Sequence, residues 1–144
     1  MGSEECHSAY DADAQQWERA YATWCHLAPL IAGISVLLSD GIAFMVPGLV
    51  ATTMWLIKRN DSPFIDDHGR EAVNFQISLA ILFLATVVVG AMTCSVGWII
   101  GFPIWLVLAF VGMLMGTLAA KDGRYFRYPA CIRLIPDPME SHDH

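Results

Sequence analysis

The side chains best suited to chemistry gather between Asn60 and Ser78, N-D-S-P-F-I-D-D-H-G-R-E-A-V-N-F-Q-I-S. Within that stretch Asp67, Glu71, Asn74 and Ser78 follow the i, i+4, i+7, i+11 spacing that lays side chains along one face of a helix. An apolar run follows, in which an amide finds no water. Asn74, and Gln76 if it lies deep, must therefore bond to another helix. His26, in a preceding apolar run, is expected at comparable depth as a partner. Two roles suit this polar face. One is an interhelical hydrogen-bond clasp, the other a lining for a substrate or ion path. The clasp is the simpler reading.

The neighbouring Asp66, Asp67, His68 and Glu71 supply oxygen and nitrogen ligands that a divalent cation at a membrane surface could use. No spacing of a metal motif is present, however, and Arg70 competes for the same carboxylates. Pro63, Phe64, Asp66, Asp67, His68 and Arg70 therefore read as a helix cap and loop motif, with Asp66 or Asp67 accepting from free backbone N–H groups. Cys25 and His26 are adjacent, and successive helical residues point about 100° apart, so they form no nucleophile pair. Catalytic residues, metal and cofactor are all absent from this reading, which makes the chain a non-enzymatic protein.

The elements that must position these groups belong to a membrane protein. With 56% hydrophobic residues, 15% charged residues and a mean hydropathy of +0.48, too little polar surface remains to clothe a soluble globule of 144 residues. No Asp, Glu, Lys, Arg or His occurs between Ala72 and Ala120. The expected architecture is all-α and polytopic, with four transmembrane helices at about 20–38, 42–57, 72–93 and 98–120. Pro29 falls inside the first, Ser39-Asp40-Gly41 turns into the second, and the second is short enough to thin the bilayer locally. An acidic disordered tail is expected over 1–16, an interfacial juxtamembrane segment over 124–136, and a second acidic tail over 137–144.

Arg19, Lys58, Arg59, Arg70, Lys121, Arg124, Arg127 and Arg133 all fall on one side of such a bundle. The positive-inside rule then puts both termini in the cytoplasm of a multi-pass protein of the cell membrane. Gly112-x-x-x-Gly116 and Gly97-x-x-x-Gly101 let helix backbones approach, within the bundle or in a homo-oligomer. Arg124, Tyr125, Arg127, Tyr128 and Arg133 interleave cations with rings, and would hold lipid headgroups or a partner membrane protein's acidic segment. The net charge of -6 excludes nucleic acid as a natural partner. The surplus of carboxylates suits a halophilic archaeon.

Three stretches carry a family resemblance: Ser62 to Ser78, the Trp24-Cys25-His26-Leu27 start of the first span, and Asp122-Gly123-x-x-x-Arg127-Tyr128-Pro129. They resemble the prokaryotic Tic-twenty-like membrane proteins, relatives of the chloroplast inner-envelope protein-import component. The resemblance runs from about Trp17 to Ile135 and implies four helical spans and a role in protein translocation or membrane-protein assembly. It carries no catalytic residue. The competing readings are a small transporter or channel using the polar face of the third helix, and a membrane-surface lipid-modifying enzyme resting on the Asp-Asp-His-x-x-Glu cluster.

Overall fold

The computed structural model describes residues 10–37, 45–129 and 131–135. Four helices follow one another: α1 (Gln16–Leu37), α2 (Val46–Lys58), α3 (Pro63–Met92) and α4 (Val96–Lys121). Among the described residues the only extended pairing is an isolated bridge between Tyr10 and Arg124. The expected turn at Ser39-Asp40-Gly41 lies outside the described residues.

α1 and α3 form the middle of the bundle and touch each other and both flanking helices, while α2 and α4 do not meet. At 30 and 26 residues, α3 and α4 are long and apolar enough to cross a membrane. The 13 residues of α2 rise only about 20 Å. The outer faces of α3 and α4 leave Leu84, Val88, Ile99, Ile100, Val107 and Leu118 exposed. A soluble fold would bury such rows of side chains, whereas acyl chains solvate them without cost.

The start of α3 departs from expectation. Pro63 occupies the first turn and Ser62, in extended conformation, is the N-cap without a side-chain cap bond. Proline suits that position because its missing N–H would be unsatisfied there anyway. Asp66 and Asp67 thus sit inside the helix rather than at its cap. Asp66 instead accepts from Trp55 Nε1 at 2.7 Å and pairs with Arg70, where its charge still suits the helix N-terminus.

The turn between α3 and α4 is tight, with Cys94 and Ser95 both at positive φ. Gly123, at φ +70°, ends α4 in the left-handed conformation that glycine adopts without a Cβ penalty. A Cβ there would also lie 2.9 Å from the Arg19 guanidinium. Residues 10–15, expected to belong to a loose tail, dock against this end. Asp11 N–H donates to Gly123 O at 2.8 Å, and the Asp11 carboxylate accepts from Tyr125 Oη at 2.9 Å and from the Asp13 and Ala14 N–H groups. Residues 1–9 lie outside the described residues.

The small residues of α4 are spent inside the bundle. A Cβ at Gly97 would lie 2.7 Å from Gly90 N, and one at Gly101 would lie 2.6 Å from Thr86. Gly112 faces the Phe75 ring, and Gly116 faces Tyr128 and His26.

Candidate functional site

After Gly123 the chain turns back, and residues 124–129 and 131–135 lie along the polar face of α3 as a strap. The four residues of the stripe each take part of it. Asp67 receives both terminal nitrogens of Arg127, at 2.6 and 2.5 Å. Glu71, almost fully buried, accepts from Arg133 Nε at 3.1 Å and from the Tyr128 N–H at 3.4 Å. Asn74 bonds Ile135 twice: its Nδ2 donates to the carbonyl at 3.1 Å, and its Oδ1 accepts from the N–H at 3.0 Å. Ser78 Oγ donates to Asn74 O at 2.9 Å and accepts from the Ile132 N–H at 2.8 Å.

The stripe is therefore closed by the C-terminal segment, where another helix was expected. An extended strap has unpaired N–H and C=O groups along its length, and a row of carboxylate, amide and hydroxyl groups satisfies them. Asn74 acts here as a short piece of β-ladder. Gln76 lies off this line, as its spacing implies, and its Nε2 donates to the Met113 thioether at 3.8 Å.

His26 joins the strap by a different route. Tyr128 Oη lies 2.9 Å from His26 Nδ1, His26 Nε2 lies 3.1 Å from His68 Nδ1, and His68 Nε2 lies 3.0 Å from Arg124 O. A carbonyl can only accept, so His68 carries its proton on Nε2 and accepts at Nδ1. His26 must then donate from Nε2 and accept from the tyrosine hydroxyl. Both imidazoles are neutral in this row, and both ends of it are strap residues. His26 and His68 are buried. Asn74, the expected partner of His26, makes no part of the row.

Aromatic rings pack around this row. Tyr128 stacks on Phe75 with centroids 3.9 Å apart and planes 4° apart, while Phe64 and Tyr125 flank His68. Burial holds the Tyr128 hydroxyl well above the usual phenol range, with Glu71 adding to the effect. Tyr125 is raised by burial first and then by its bond to Asp11. Burial also raises the Cys131 thiol. These groups therefore remain protonated, as donors or inert thiol, and none is an activated nucleophile.

The strap also changes the role of the basic aromatic cluster. Arg127 and Arg133 turn inward to Asp67 and Glu71, Tyr125 goes to Asp11 and Tyr128 is buried. Arg124, exposed to solvent, contributes its carbonyl to His68. The guanidinium groups of Arg127 and Arg133 are thus paired with carboxylates of α3 within the chain. Among the described residues no three His, Cys, Asp or Glu side chains converge to hold a metal, and every buried side-chain nitrogen and oxygen has a hydrogen-bond partner. Cys25, Cys94 and Cys131 are free thiols, while Cys6 and Ser141 to His144 lie outside the described residues. Trp55 and Asp11 were missed by sequence reasoning. An indole and a tail carboxylate have no periodic partner to betray them.

Because Gly116 is where α4 presses on both Tyr128 and His26, Gly116→Leu is expected to destabilise the bundle by about 2–4 kcal/mol through overpacking and a broken hydrogen-bond row. Thermal unfolding in micelles reads it, with Gly33→Ala, whose added Cβ would meet Pro47 at an ordinary 3.9 Å, as the comparison.

The sequence profile of the MamF/MmsF family, described as the magnetosome magnetite crystal formation protein family, matches residues 17–135. No curated protein and no solved structure gives a significant match. The match spans α1 to the end of the strap, and the chain belongs to this family. That membership overturns the Tic-twenty-like resemblance, and with it the expectation of protein translocation or membrane-protein assembly. The transporter or channel reading and the lipid-modifying reading find no support in it either. The chain is membrane-associated, as its composition implied.

Proposed function

We propose that this member of the magnetosome family is a non-enzymatic, multi-pass protein of the magnetosome membrane that acts in magnetite crystal formation. The family match carries the reading, because it covers 17–135, the whole of the helices and the strap. The unit that acts is then the clasped bundle rather than one loop of it. The non-enzymatic part rests on the polar face, whose groups are all spent on partners within the chain.

In this reading all four helices enter the bilayer, α2 by thinning it locally, and both termini face the cytoplasm. Arg19 meeting Gly123 and Lys58 lying over Trp17 support a common end for the basic residues. A homo-oligomer or a partner membrane protein would dock on the outer helix faces, since the α4 glycines are already covered. A halophilic archaeal source would suit the surplus of 14 acidic over 8 basic residues.

In a magnetite-forming bacterium whose own family gene has been deleted, expression of this chain is expected to restore crystal size and number, measured by electron microscopy. The protein should fractionate with the magnetosome membrane. Unchanged crystals with the chain present in that membrane would defeat the proposal.

A further inference from the structure

Away from the strap, the four helices diverge around a cleft of about 760 Å³. Its walls are almost wholly apolar, and Leu49, Leu84 and Val107 on its rim are exposed. Two helical glycines line it, Gly33 and Gly48. A glycine inside a helix costs stability relative to alanine, a loss that membrane helices usually recover through close backbone approach. At Gly97, Gly101 and Gly116 such an approach is present, since a Cβ would meet a neighbour under 3 Å away. At Gly33 and Gly48 the nearest atom to a Cβ would be 3.9 Å distant. These two glycines bring nothing closer, and they keep the cleft wide.

The cleft is too apolar to hold an ordered water cluster and too large to stay empty without heavy loss of dispersion contacts. On α3 its wall runs from Val73 to Leu84, about 16 Å at the helical rise. That is the depth of one leaflet, half of the roughly 30 Å hydrocarbon core. Polar groups are few. Thr52 bonds back to Gly48 O, and Trp105 Nε1 donates to Leu79 O. Gln76 differs, because among the described residues its carboxamide has only the Met113 sulfur at 3.8 Å, a weak acceptor. It sits toward the strap end of the wall, the end proposed above to face the cytoplasm.

We propose that this cleft binds one acyl chain of a cytoplasmic-leaflet phospholipid, with the Gln76 carboxamide donating to the ester carbonyl and the chain descending along α3 toward Leu84. The inference rests on the membrane placement proposed above. The lipid would bridge α2 and α4, whose backbones do not approach within 8 Å (Cα–Cα) of each other.

The full chain, extracted in mild detergent and washed with lipid-free detergent, is examined by native mass spectrometry. Wild type is expected to retain one phospholipid per chain. Gly48→Phe, and separately Ala80→Phe, should lose it while keeping their helical circular dichroism, and Gln76→Leu should retain less than wild type. Wild type without bound phospholipid, or retention by the folded cleft-filling variants equal to wild type, overturns the site. So does a second copy of the chain found in the cleft by cross-linking from Leu49→Cys. Release of the protein by alkaline washing of the membranes would instead overturn the membrane placement itself, so the two failures are distinguishable.

Discussion

Asn74→Leu is expected to destabilise the micelle-solubilised protein by about 3–5 kcal/mol, the size seen when a buried polar pair loses one member. The side chain is buried, and both of its polar ends are committed to Ile135. Leucine fills similar volume, so the loss measures hydrogen bonding rather than a cavity. What it leaves behind is an N–H and a C=O of the half-buried Ile135 without their protein partners, at about 1–3 kcal/mol each. Asn74→Asp keeps the acceptor for Ile135 N–H but, when ionised, sets a second oxygen against Ile135 O, so it should fall between wild type and Asn74→Leu only at a pH low enough to protonate the new carboxyl. Chemical unfolding followed by circular dichroism gives the ordering. Asn74→Leu as stable as wild type would mean that the strap is held without its ladder. Because only strap contacts change, hydrogen exchange at residues 132–135 should rise before that of α3.

The polar face of α3 was legible and its occupant was not, for one physical reason. Asp67, Glu71, Asn74 and Ser78 announce themselves by helical period, a property of side chains. The strap answers largely with backbone groups, namely the N–H groups of Tyr128, Ile132 and Ile135 and the carbonyls of Arg124 and Ile135, which every sequence possesses. Its alternation of Arg, aromatic and aliphatic residues also suits a membrane interface. His26 was expected to be a buried polar group with a partner on another helix, and it is buried. Its partners, His68 and Tyr128, became visible only once the chain folded back. The helix cap was misplaced because Asp66 and Asp67 are good capping residues, yet Pro63 starts the helix before either of them. The long Ser62 to Ser78 string pointed to a family, and the profile match to 17–135 names a different one. A shared membrane-helix pattern fixes architecture more tightly than it fixes function.

Glu71→Leu is the second large effect, again about 3–5 kcal/mol, and it separates charge from hydrogen bonding. Glu71 has one of the least exposed carboxylates of the strap interface, at 5% for its side chain, and it faces Arg127 Nε at 3.7 Å as well as Arg133. Removing it leaves two guanidinium groups with one carboxylate, Asp67, between them. An uncompensated buried charge is the costliest outcome of breaking an ion pair. Arg133 is 42% exposed and can turn to water, so it should contribute little of the loss. Arg127, at 21%, cannot do so as cheaply. A double-mutant cycle tests this division. Adding Arg127→Met to Glu71→Leu should cost further stability, because it also strips the largely buried Asp67 of both guanidinium bonds, whereas adding Arg133→Met should change stability little. If the two doubles are equally stable, the strap is held by net charge alone. The paired geometry of Arg127 with Asp67 and Glu71 would then carry no weight in fixing where the C-terminal segment lies.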